Sequence, residues 1–425
     1  MGVRHANMTE SNRAGRNIVL VTVDSLRADY CYSPDLPTPT LDALADSGFR
    51  FETAIAPGPA TYESMPAVFT GSQPGPSGPR GGINKRDRIA THLRAHRPLP
   101  ERLRREGYTT VGVTPNPFTS RQFGFDTGFD RFVDFFDSSG FGGDGLRKRI
   151  VSRWADGEFV GGLRFATNML GRGDVSVDCS TVVTQAVDAI DDAPEPFFLW
   201  LMFLDPHWPY RPPARYCEGT GLLERYRANW RASNLSNGTP SGSDADALRT
   251  LYRGTIRHTD DCLETLRDEL RSYDPAYVFH SDHGEAFGEH GRYGHGGLLY
   301  EENVRVPLVV GNVGDGATVR RPISLRAIPR LVTALSAGET DVAAYTTDRT
   351  YAISEQGDIC VRGPEWKYYL EADGPRRFYD LGGDPTEQAG TAVDIDGLER
   401  QYRAQLTETS ELERATRDGI AVDRL

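Results

Sequence analysis

The chain has 425 residues, a formal net charge of −12, 38% hydrophobic and 25% charged residues, enough to bury the core of one large domain or two. The acidic balance argues against nucleic acid as a partner, and no apolar run reaches the roughly 20 residues that a membrane-spanning helix needs. The first residues carry no apolar segment of the secretory kind, so a cytoplasmic location is expected, and five scattered cysteines (Cys31, Cys179, Cys217, Cys262, Cys360) give neither a metal-type spacing nor a disulfide framework.

Residues 1–16 are polar and expected to be disordered. A strand over 17–23 follows and ends in Asp24. Residues 39–48 read as a helix, with Pro39 suited to its first turn and Gly48 to its end. Residues 49–55 alternate like a strand. Residues 63–69 read as a short helix closed by Thr70 and Gly71, residues 97–106 as a helix, and 109–113 as a strand. The Gly-rich stretch 136–175 has no clear period and reads as an insertion. A helix over 181–191 leads into 196–204, a strand apolar on both faces, as helices on both sides of a sheet require. The Ser/Gly/Asn-rich stretch 231–244 reads as a loop, 247–271 as a long helix, and 276–279 and 306–310 as strands. Strands alternating with helices argue for an α/β fold with a mainly parallel central sheet. After about residue 345 short strands at 351–353, 359–361 and 366–370 argue for a small antiparallel C-terminal subdomain, closed by a helix over 396–417. The expected division is therefore 1–16, a catalytic α/β domain over 17–345, and the C-terminal subdomain over 346–425.

Two apolar strands deliver candidate ligands at their carboxyl ends: Asp24 after the first, and the pair Asp282-His283 after the run Ala276–Phe279. In open α/β sheets ligands sit beyond those ends, so the pattern points to one metal site built across the sheet. Carboxylate oxygens with one imidazole suit Mn²⁺, Mg²⁺ or Ca²⁺, with Zn²⁺ still open. The bland rivals are a strand-end cap for Asp24, a structural ion pair for Arg27, packing for Trp208, a structural role for His290, and turn chemistry or pocket lining for Asn116.

Five segments in order resemble the sulfatase family of the alkaline-phosphatase superfamily. They are Val21–Asp29; Phe203–Pro213 with its Asp205-Pro206-His207; Ser281–Glu285 through Gly294-His295-Gly296 and on to Arg305-Val306-Pro307; Trp366-Lys367-Tyr368; and Leu381–Glu387. The resemblance covers about 17 to 390 and implies an alkaline-phosphatase-like sandwich, with Asp24, Asp282 and His283 as ligands of one divalent ion. It also implies a nucleophile ten residues before Gly71, at Thr61. There the family carries Cys or Ser, oxidised to formylglycine, and an Arg four residues on; this chain has Thr61 and Met65. Thr cannot become formylglycine. A Thr nucleophile, itself a metal ligand, resembles instead the lipoteichoic acid synthases and nucleotide phosphodiesterases, which act on phosphoesters. A helix N-cap is its structural rival, and Ser64 is the rival hydroxyl. His207 and His295 are the expected acid or anion-binding groups. The implied function is metal-dependent hydrolysis of sulfuric or phosphoric esters, phosphoesters favoured. The substrate is expected to be a small anionic ester, a sulfated or phosphorylated glycan among the candidates. The alternatives are transfer of a phospho-head group to a glycan or lipid acceptor, and a non-catalytic binding protein on the same fold.

Overall fold

The structure, a computed structural model, describes residues 15–75, 84–135, 177–233, 240, 242–393, 397 and 400. In its first half β1 (Ile18–Val23), β2 (Phe49–Ile55), β3 (Thr109–Thr114) and β4 (Arg131–Asp134) alternate with helices α1 (Pro39–Asp46), α2 (Thr61–Thr70), α3 (Lys85–Ala95) and α4 (Leu99–Arg105). The second half places α5 (Cys179–Ile190), β5 (Phe197–Phe203), α6 (Leu222–Ser233), α7 (Ser243–Glu269) and β6 (Ala276–Ser281) before a hairpin of β7 (Ala286–Phe287) and β8 (Tyr293–Gly294). Strands β9 (Arg305–Gly311), β10 (Ala317–Val319) and β11 (Ile323–Ser324) and helix α8 (Ile328–Ser336) complete the large layer.

Its sheet runs β10-β2-β9-β6-β1-β5-β3-β4, with β11 beside β2. Only β9 runs antiparallel to its neighbours, β2 and β6; the other pairings are parallel. Alternation along β1 explains the layers. Val19, Val21 and Val23 face a core shared with α5 and α7, while Ile18 and Leu20 face one shared with α2, α4 and α8. Burying each such side chain contributes about 1.5–3 kcal/mol, which holds the strand ends in register under the site. A five-stranded antiparallel sheet follows: β12 (Thr350–Ile353), β13 (Ile359–Arg362), β14 (Trp366–Leu370), β15 (Arg376–Asp380) and β16 (Thr391–Ala392).

Several sequence expectations need correction. The loop expected over 231–244 is shorter, because α6 runs through Ser233 and α7 begins at Ser243. Acidic groups in the first turn suit a helix N-terminus, and Asp244 also binds Arg227 at 2.6 Å and Arg231 at 3.1 Å. Helices α3 and α6 were not expected at all; α3 offers the core only Ile89 and Leu93 among apolar side chains. The cysteines do form one disulfide, Cys179–Cys262, joining α5 to α7 across 83 residues of sequence; Cys31, Cys217 and Cys360 are free and buried. The insertion expected over 136–175 and the first 14 residues lie outside the described residues, as does nearly all of the closing helix.

Candidate active site

Strands β1 and β6 are parallel neighbours with Val23 opposite Ser281, so Asp24 and Asp282 leave the sheet side by side. The Asp24 N–H donates to Phe203 O at 3.0 Å and the Asp282 N–H to Val23 O at 3.1 Å. Both carboxyl groups and the His283 ring are fully buried. Ser25 adopts φ 63°, a turn that aims its N–H at Asp282 Oδ1 (3.2 Å) and its hydroxyl at Asp24 Oδ1 (2.9 Å).

His283 Nδ1 lies 2.8 Å from Gly284 O. A carbonyl only accepts, so Nδ1 carries the proton and Nε2 keeps its lone pair. That Nε2 is 3.3 Å from Thr61 Oγ1, 3.5 Å from Asp24 Oδ1 and 3.6 Å from Asp282 Oδ2. Asp282 Oδ2 is sealed from solvent without a hydrogen-bond partner. Burial and then the neighbouring Asp282 push the Asp24 carboxyl well above the carboxylate range; burial pushes Asp282 up to about 6 and His283 well below the usual imidazole value. Ligand atoms of Asp24, Asp282 and His283 all lie within 4.8 Å of one another. Two crowded carboxylates, an imidazole with a free lone pair and an unpaired buried oxygen are the donor set of a hard divalent cation. The residues therefore fit the ion that the sequence implied.

Thr61 opens α2 as its first residue. The cap position belongs to Ala60, which makes no side-chain cap bond, so the N-cap reading of Thr61 is not what the structure holds. Its hydroxyl instead receives the Asn116 amide at 3.4 Å, and the same Nδ2 donates to Asp24 Oδ2 at 2.7 Å. Asn116 is thus the residue that sequence reasoning left undecided. It serves both rival roles, since its Oδ1 also accepts from the Phe118 N–H at 2.8 Å and starts a turn. Met65 points into the apolar core, so no cation stands at that position. Lys85 Nζ lies 3.7 Å from the centre of the Tyr62 ring and pairs with Glu355 at 3.2 Å.

The His295 ring lies 4.3 Å from that of His283 and 5.0 Å from that of His207. Burial opposes charge on His295, but Glu285, at 3.4 Å from Nδ1, outweighs it with help from Asp24 and Asp282, and raises the imidazole to about 9. His207 is half-buried, its Nδ1 2.5 Å from Trp208 O. The expected Asp24, Thr61, Asp282 and His283 are therefore together, with His295 and then His207 along one side. Arg27 is held in ion pairs with Asp29 and Glu289, both at 2.7 Å. His290 stacks on Tyr300 at 3.5 Å, a packing role.

The sulfatase family model matches residues 16–324. The chain is 24% identical over 425 residues to a sulfatase of Formosa agariphila, covering 87% of this chain and 82% of that protein. It is 22% identical over 445 residues to an arylsulfatase of Clostridium perfringens, covering 87% and 89%. Among solved structures it resembles the phosphonate monoester hydrolase of Agrobacterium radiobacter, with TM-score 0.63, 18% identity, and 94% and 96% of the two chains covered. A protein solved with its substrate D-glucosamine-2-N,6-O-disulfate matches at TM-score 0.64 and 15% identity, over 95% and 98%.

Proposed function

The chain belongs to the sulfatase family, and from that premise we propose that it cleaves phosphoric esters with Thr61 as nucleophile, ahead of sulfuric esters. The observation that carries this reading is the place of the Thr61 hydroxyl. It stands at a helix N-terminus, 3.3 Å from His283 Nε2 and within reach of the Asn116 amide, where a formylglycine precursor would be expected.

Asp24, Asp282 and His283, with Thr61, would hold one divalent ion, Mn²⁺, Mg²⁺ or Ca²⁺; when bound it withdraws charge from the ester oxygens and lowers the pKa of the threonine hydroxyl. The chain does the rest. Asn116 orients Thr61 Oγ1 by donating to it, and the positive end of α2 favours an alkoxide there. Thr61 gives up its hydroxyl proton to water and its alkoxide attacks phosphorus, forming the Oγ1–P bond as the P–O bond to the alcohol breaks. The charged His295, kept protonated beside Glu285, clamps the anionic ester and supplies the proton to the departing oxygen; His207 extends the same side. Water then attacks phosphorus, its proton returns to His295, and the Oγ1–P bond breaks to release phosphate. The solved complex with a disulfated glucosamine supports testing sulfated and phosphorylated glycans first, and the phosphonate monoester hydrolase supports including phosphorus esters.

The test is turnover of aryl sulfate, phosphate monoester and phosphate diester by protein loaded with Mn²⁺, Mg²⁺ or Ca²⁺. Phosphoester turnover that falls on the order of 10³-fold or more in Thr61→Ala supports the reading. Sulfate turnover that survives Thr61→Ala removes Thr61 as nucleophile.

A further inference from the structure

A second set of metal-type donors lies between α5 and α7. Asp178 caps α5 and Cys179 is its first residue. His258 and Cys262 stand four residues apart on one face of α7. A ring nitrogen of His258, a carboxylate oxygen of Asp178 and both sulfurs lie within 4.8 Å of one another. Cys179 and Cys262 are fully sheltered and His258 is 8% exposed; the Asp178 side chain is 49% exposed, which leaves an entry path from solvent.

The disulfide accounts for two of these four groups, and of the other two one atom is left without a partner. His258 Nε2 meets Asp178 Oδ2 at 3.0 Å, but its Nδ1 is buried with no hydrogen-bond partner. Asp178 Oδ1 is anchored by the Ser180 N–H at 2.8 Å and hydroxyl at 2.6 Å, so the carboxylate is held in place toward His258. A second carboxyl, Asp205, stands close enough to Asp178 and His258 to interact with both. Asp178 has His258 as its partner, and the disulfide adds no charge of its own. A cation bound by the two sulfurs would also have one His258 nitrogen and one Asp178 oxygen within reach.

The geometry points to a Zn²⁺ site formed by Asp178, Cys179, His258 and Cys262 in the reduced protein. Two thiolates, one imidazole and one carboxylate are a tetrahedral zinc set, carried on two helices that the core already fixes. The chemistry balances simply. A dithiol passes two electrons and two protons to the Cys179–Cys262 bond and becomes a disulfide itself, leaving two thiols. Zn²⁺ then displaces both thiol protons. In a reducing compartment the zinc form replaces the disulfide as the link between α5 and α7. Asp205 lies two residues before His207 and its carbonyl accepts from the Thr259 hydroxyl at 3.5 Å, so the link also underpins the loop that carries His207.

Cobalt distinguishes this site from the candidate active site, whose donors include no sulfur. The full chain is reduced with a dithiol, desalted without oxygen and titrated with Co²⁺. One equivalent is expected to give thiolate-to-cobalt charge-transfer absorption and strong tetrahedral ligand-field bands, which Zn²⁺ bleaches. Both signals disappear in Cys262→Ser and persist in Asp24→Asn. His258→Gln keeps both thiols and is expected to weaken cobalt binding at least about tenfold, so the assignment stays testable if Cys262→Ser does not fold. No charge-transfer absorption in the reduced wild type overturns the proposal, and so does unchanged cobalt affinity in His258→Gln.

Discussion

Asn116 ties the candidate nucleophile to the candidate metal ligands with one amide, 2.7 Å from Asp24 Oδ2 and 3.4 Å from Thr61 Oγ1. Removing it leaves a buried carboxylate short of a donor and the threonine unoriented. Asn116→Ala is therefore expected to weaken metal affinity by about 10–100-fold and to lower turnover at saturating metal by about 10²-fold. Metal-dependent activity titrations separate the two effects, and a variant with wild-type metal affinity and turnover removes Asn116 from the site. The sequence told Asp24 and the Asp282-His283 pair apart from ordinary polar residues because each directly follows an apolar strand. It had no such signal for Asn116. That residue follows β3, which is separated from β1 by β5, and only the strand order shows that a loop after residue 114 reaches Asp24. The same lack hid the cysteine cluster, whose two halves lie 83 residues apart.

Among the elements, the antiparallel C-terminal sheet is fastened to the catalytic layer by buried charge. Arg362 on β13 binds Glu301 through Nε at 3.1 and 3.2 Å and Nη2 at 3.1 Å. Lys367 on β14 reaches Glu301 at 3.4 Å and Glu387 at 2.8 Å, and the Glu301 N–H donates to Glu387 at 2.7 Å. Glu301 has two cations against burial and is held down to about 2. Glu387 shares only Lys367, and burial raises it. A carboxylate depressed from its ordinary 4.5 contributes stability that is present above 4.5 and lost as pH falls through about 2. Glu387 has the opposite sign, so it is the first of the pair to take a proton and it blunts the loss. Melting temperature followed downward from pH 5 is expected to fall in wild type and to flatten in Glu301→Gln. Lys367→Met, which leaves both carboxylates without their shared cation, is expected to cost about 3–5 kcal/mol; a near-neutral variant would show that Lys367 is not the fastener. These short strands were legible from their Gly and Pro turns. Helix α3 was not, because a helix with few apolar positions owes its place to neighbours rather than to its own period; α6 was missed although Leu222, Tyr226 and Trp230 recur at helical spacing.

For the whole molecule, the sheet is the device that forces Asp24 and Asp282 together. Core packing on both faces of β1 and β6 fixes their ends, and the fold therefore carries two buried carboxyl groups at one point whether or not a cation neutralises them. That burden was legible as a pair of strand-end acids, while its size depends on the complete burial that only the folded chain reveals. An ion that binds the folded chain alone at 100 times its Kd stabilises it by about 2.7 kcal/mol, which for a chain of this length is a rise of about 3 °C in Tm. Chelator-treated protein is expected to regain that rise on adding Mn²⁺, measured by calorimetry in the oxidised form so that the cysteine cluster takes no part. Asp24→Asn removes one charge of the crowded pair, so it is expected to melt no lower than metal-free wild type and to lose the response to Mn²⁺. If wild type also gave no response, the two carboxylates would be tolerated without an ion, and the burial that makes them a metal site would have another explanation.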